Sequence, residues 1–99
     1  MNSIISDRTG YTNEAERFFN CYYNGFGNVV NAMMESSNTS VEYKLILTND
    51  QGEKMIFEGG LTCGYKGEGS NATIRVLRKV GFDIKDEFVY NNQAFNINR

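Results

Sequence analysis

The chain contains no histidine, no tryptophan and no proline. Histidine is the side chain that titrates near neutrality and the commonest metal ligand, so its absence removes the usual general base and most zinc chemistry. Cysteine is scarce: only Cys21 and Cys63 are present, far apart in sequence. That pair alone makes no zinc site. One disulfide is open to them, but reduced thiols in a cytoplasmic protein are the expectation. Charge of one sign is also lacking. Ten basic against twelve acidic residues leave a net charge of −2, too mild a balance to point to nucleic acid or a membrane surface. The acidic residues are scattered and show no calcium-loop spacing. Residues 1–10 carry neither a basic nor an apolar stretch of the signal-peptide kind. No apolar run approaches the length that spans a bilayer.

Aromatic residues are plentiful: seven Phe and six Tyr in 99 residues. Large rings supply the burial that offsets chain entropy, so the expectation is one folded α+β domain over 1–99 rather than a disordered chain.

Residues 12–35 carry a helical pattern. Ala15, Phe18, Phe19, Tyr22, Phe26, Val29, Val30 and Met33 fall on one stripe, which predicts a long amphipathic helix. Gly25 and Gly27 interrupt it. A bend or binding notch is one reading of them, and close packing against a sheet is the preferred one. Thr12 or Asn13 suits the helix start, with Asn13 and Glu16 at capping-box spacing. Residues 1–10 read as an arm or a short edge segment, and 36–40 as a polar linker.

Val41, Tyr43, Leu45 and Leu47 alternate with Glu42, Lys44, Ile46 and Thr48, and Met55 and Phe57 alternate on the far side of Asn49-Asp50-Gln51-Gly52. This is a β-hairpin whose core face holds Tyr43, Leu45, Leu47, Met55 and Phe57. A second helix is expected from Ser70 or Asn71 to Val80, closed by Gly81. Residues 82–84 and 88–90 read as strand pieces and 94–97 as a further strand. The fold expected is a two-layer α+β domain: an antiparallel sheet of three to four strands, two helices on one face, in the order α-β-β-α-β(-β).

The stretch Gly59 to Gly69 is the most unusual in the chain. Five of the ten glycines lie in these eleven positions, immediately before the second helix. Backbone N–H groups at such a junction can face an anion. Gly64-x-x-Gly67-x-Gly69 has neither the Lys-Ser/Thr ending of a P-loop nor the dinucleotide-binding spacing. The four residues Gly64-Tyr65-Lys66-Gly67 fit a GXXG pattern, but a strand rather than a helix precedes them, so no KH domain is inferred. Connector geometry is the plainest role for such glycines. The candidate contact residues are Gly64, Tyr65, Lys66, Gly67, Gly69, Ser70 and Arg75. Arg75, Arg78 and Lys79 share a helix face, for which simple solvation is the preferred reading.

Three functions follow as expectations. The first is a small non-catalytic protein, of inhibitor or adaptor type, that binds another protein through contacts including this loop. The second is a binder of a phosphate-containing small ligand, a nucleotide or signalling molecule, at Gly64–Ser70. Ranked below both is an enzyme using Cys63, for which no histidine base exists. No cofactor, metal, nucleic-acid or membrane partner is expected.

Overall fold

A computed structural model describes residues 4–36 and 43–99. The elements are β1 (Ile4–Gly10), α1 (Thr12–Phe26), β2 (Val29–Ser36), β3 (Tyr43–Asn49), β4 (Lys54–Gly59), α2 (Glu68–Lys79), α3 (Asp86–Tyr90) and β5 (Phe95–Asn98). The class is α+β, as the periodicities indicate. Among the described residues the sheet has five strands rather than three to four, in the order β1-β4-β3-β2-β5. It is mixed rather than antiparallel, because β1 pairs in parallel with β4. The described residues form three helices, not two. Of the expected linker 36–40, Ser36 ends β2, and 37–40 with the Val41 end of the hairpin lie outside the described residues.

The hairpin forms where its alternation places it. Leu45 pairs with Phe57 and Leu47 with Met55, and all four are fully buried, with Tyr43 beside them. Asn49, at the hairpin turn, is a buried anchor. It donates to the Phe26 carbonyl at 2.6 Å and accepts from the backbone N–H of Gln51 and Glu53. The hairpin turn is thereby tied to the end of α1.

The largest correction concerns residues 27–35. Helix α1 stops at Phe26, and Gly27 closes it with φ 94°, a backbone state that glycine reaches without the Cβ clash. The chain then re-enters the sheet as β2. A register shift lies between Val29 and Asn31, so the buried side chains fall at 29, 32 and 34. The first interval imitates helical spacing. The close-packing reading of the two glycines also fails: Gly25 has open space where a Cβ would sit.

At the other end of the chain, residues 82–84 form no strand, and 88–90 belong to the short helix α3. The second helix begins at Glu68, earlier than Ser70, with Gly67 at its N-cap. Its exit matches the expectation. Gly81 has φ 105°, the Gly81 N–H donates to Arg78, and the Phe82 N–H donates to Leu77, the two bonds of a Schellman closure.

All three helices lie over one sheet face, where their apolar sides meet the hairpin core and Ala32, Met34 and Phe95. Helices α1 and α2 run side by side in the same direction: Glu16 meets Arg75, and Asn20 meets Lys79. Both therefore start at the end of the molecule where β1 and β4 finish. No helix among the described residues is long and apolar enough to cross a membrane.

Two glycines in this frame have opposite expected responses to alanine. Gly60 sits at φ 78°, and a Cβ there would lie 2.9 Å from the Tyr11 carbonyl oxygen and 3.1 Å from the Ala15 Cβ. Gly60→Ala is expected to destabilise by about 2 kcal/mol or more. Gly25→Ala, in a helix with room, is expected to stabilise by about 0.5–1 kcal/mol. Urea unfolding of the two variants checks both signs.

Candidate functional site

The parallel strands β1 and β4 end together, with Gly10 opposite Gly59, and each chain then turns into a helix. Helix α1 starts at Thr12, whose hydroxyl donates to the Gly60 carbonyl at 2.7 Å. The same carbonyl lies 3.2 Å from where a Gly69 Cβ would be. The start of α1, the end of β4 and the first turn of α2 thus converge on Gly60. Neither helix has a side-chain cap at its N-terminus, and both macrodipoles present their positive ends here.

Within this junction the glycine segment divides into a floor and a tip. The floor is internal. Gly60, Leu61, Cys63, Gly69 and Ser70 are buried. The Thr62 N–H donates to the Gly69 carbonyl and the Gly64 N–H to the Val89 carbonyl at 2.8 Å. A Cβ on Gly69 would fall 2.5 Å from the Thr62 hydroxyl, so the missing side chain is what lets Thr62 reach beneath the helix. There Thr62 lies 3.4 Å from the Ser70 hydroxyl. The Thr73 hydroxyl, also buried, donates to the Gly69 carbonyl.

The tip is Tyr65, Lys66, Gly67 and Glu68. Tyr65, Lys66 and Glu68 are exposed. Among the described residues the N–H groups of Tyr65, Lys66 and Gly67 have no backbone acceptor. The Tyr65 ring folds back over the Gly67 Cα, within 2.5 Å of where a Cβ would stand. Its phenol oxygen accepts from the Thr62 hydroxyl at 2.9 Å. The ring is therefore held in one pose while its outer face meets solvent. Tyr11 is 68% exposed and its carbonyl touches Gly60, so a second tyrosine stands at the same end of the molecule.

Of the seven candidate residues, Gly64, Tyr65, Lys66 and Gly67 lie in the loop and Gly69 and Ser70 in the first turn of α2, and the structure separates their roles. Arg75 is engaged elsewhere. Its guanidinium makes two bonds to Glu16, at 2.9 and 2.6 Å, and a third to Glu68 at 3.2 Å. The hydrogen bonds to Glu16 push its pKa further up against a desolvation effect that lowers it, and Glu68 adds to the rise. Its fork links α1 to α2 and is not free for an outside anion. Arg78 bonds the Ile84 carbonyl and Asp86, and Lys79 bonds Asn20 and lies over the Tyr23 ring. The basic face is thus spent on joining elements.

Thr62 is not singled out by the sequence, and Thr12 and Glu16 stand out there only as helix-start residues, although all three fix the loop. A threonine hydroxyl flanking a glycine run is the signal available for Thr62. For Thr12 and Glu16 the contacts lie 48 and 59 residues away, and no local pattern carries them.

Cys63 is fully buried, and burial pushes its thiol up to about 11. A thiol held protonated is a weak nucleophile. Cys21 is exposed and Cys63 buried, and both are free. Among the described residues no group of three metal-ligating side chains comes together. A groove of about 530 Å³ runs along Gly10, Tyr43, Lys44, Glu58 and Gly59 and takes in none of Gly64–Ser70.

Compared with protein-family models, curated proteins and solved structures, the chain matches none.

Cys63 yields a pH prediction. Its folded-state pKa lies above the ordinary 9.0, so the folded chain keeps a proton that the unfolded chain releases. The stabilisation from the neutral buried thiol is present below about pH 9 and fades as pH climbs towards 11. Tyr43, raised chiefly by burial, acts in the same direction. Unfolding free energy is expected to fall across that window, with a shallower slope in Cys63→Ala. In the native protein at pH 7, iodoacetamide is expected to label Cys21 and spare Cys63, as read by mass spectrometry.

Proposed function

We propose that this protein acts without catalysis by binding another protein, as an inhibitor or adaptor does, through the end of the molecule that carries the Gly64–Ser70 loop. One observation carries the reading: two of the four exposed large hydrophobic side chains among the described residues, Tyr11 at 68% and Tyr65 at 46%, flank the same anchored junction. Tyrosine offers large contact area at small entropic cost, and a ring already held in place offers it more cheaply still. Tyr65 and Lys66 supply the contact, with Gly67 letting the ring lie flat. Gly64, Gly69 and Ser70 form the support beneath, and Arg75 braces it through Glu16 and Glu68. Tyr22, the third exposed tyrosine, belongs to a different groove with Ile5 and Phe26.

The second reading, a phosphate-containing ligand at Gly64–Ser70, draws on the unaccepted amides of Tyr65–Gly67 and the uncapped start of α2. Against it stand Glu68, exposed in the first helical turn, and the commitment of Arg75 to carboxylates. A carboxylate at that turn occupies the favourable end of the dipole that a phosphate would use. Thermal denaturation with a nucleotide panel separates the two readings. A true ligand at one hundred times its Kd adds about 2.7 kcal/mol, and the protein-binding reading expects no shift.

The direct test is affinity capture with the wild-type chain and with a Tyr65→Ala, Lys66→Ala double variant. A specific partner is expected to be enriched by the wild type and reduced by about thirtyfold or more with the variant, the loss typical of a tyrosine hot spot. The two proteins should melt at similar temperatures. Equal capture by both would remove the loop from the interface.

A further inference from the structure

The helices cover one face of the sheet. Among the described residues nothing covers the other. Its side chains form rows that follow directly from the strand register. The middle row is apolar across β2, β3 and β4, where Met33 pairs with Ile46 and Ile46 with Ile56, and polar at its ends, Asn96 and Ser6. One row nearer the Gly59 end, Glu35 pairs with Lys44 and Lys44 with Glu58. Arg8 completes that row from β1 by bonding Glu58 at 2.9 Å. From β2 to β1 the charges read minus, plus, minus, plus.

We infer that this face is where two copies of the chain associate, sheet against sheet. The charge row is the reason. A two-fold axis running along the strands, midway between β3 and β4, lays the row on its own reverse. Lys44 then faces Glu58 of the second copy, Glu35 faces its Arg8, and Ile46 faces its Ile56. Every charge in the row meets the opposite sign, which is the self-complementarity a two-fold interface requires. Aligned sheets pack about 10 Å apart, within reach of these side chains.

The sheet edges are poorer places for a second copy. On β1, Asp7 points a charge inward at 6% exposure and a bulge follows it. Both features discourage strand addition. On the far side, β5 is only four residues long.

The size of the face sets the strength. Five strands about 4.8 Å apart and roughly 20 Å long present on the order of 500 Å² per copy, near the lower limit for specific association. The dimer is therefore concentration-dependent and weakened by salt. Because the axis runs along the strands, both Tyr65 loops lie at the same end of the pair, a geometry that suits bivalent capture.

Sedimentation velocity on the full chain from about 10 μM to about 1 mM, the range a small interface requires, tests the inference. The wild-type mass is expected to rise from 11.2 kDa towards twice that value. Lys44→Glu and Glu58→Lys each place like charges across the axis, and each alone is expected to dimerise at least about tenfold more weakly. An equimolar mixture of the two is expected to recover the dimer, since Glu at 44 in one copy then meets Lys at 58 in the other. Recovery on mixing also excludes misfolding as the cause of the single-variant loss. A wild type that stays monomeric at about 1 mM would leave the face to some other molecule and overturn the inference. So would single variants that dimerise like the wild type, as an axis across the strands predicts, or a mixture that does not recover.

Discussion

The close approach at Gly60 organises this structure. A backbone without a Cβ lets the start of α1 press against the end of β4, with the Thr12 hydroxyl on the Gly60 carbonyl and the Tyr11 carbonyl against the Gly60 Cα region. From that point the first turn of α2 is brought over Thr62 by the absence of a side chain at Gly69. Remove the approach and the two parallel helices lose their common origin. The tyrosines at that end then lose their shared frame.

The loop that follows is consequently two things at once. Its floor behaves as core, with buried side chains and internally bonded amides. Its tip behaves as surface, held by one hydroxyl-to-phenol bond and one ring lying over a glycine. Pre-organisation of this kind lowers the ordering cost of binding, so a loop with mostly connector geometry can still present a defined face. Arg75 illustrates the same economy. A cation that looked available for anion binding instead fastens α1 to α2 through Glu16, with Glu68 as a further partner.

Much of this was legible in the sequence, and the failures have physical causes. Strict alternation through Tyr43, Leu45, Leu47, Met55 and Phe57 gave the hairpin and its buried face. The helix expected to end at Val80 and close on Gly81 formed as α2, with that closure. Residues 29–35 misled because the bulge after Val29 inserts a residue, and a strand whose buried positions fall at 29 and 32 looks helical. Strand β1 is the edge segment that residues 1–10 suggested, but the sequence left it beside the arm reading because the inward Asp7 carboxylate breaks the expected apolar alternation. Helix α3, five residues long, is too short to show a period. At the site, the glycines and Tyr65 announced themselves locally. The partners that fix them, Thr12 and Glu16, act across contacts that no local pattern encodes.

Amide hydrogen exchange resolved by NMR tests the division of the loop most directly. Slow exchange is predicted at Thr62 and Gly64, whose N–H groups donate to Gly69 and Val89, and fast exchange at Tyr65, Lys66 and Gly67. Uniformly fast exchange from 61 to 67 would mean that no floor exists. Protection extending through Lys66 and Gly67 would mean that the tip is closed to any partner, and either result would contradict the account.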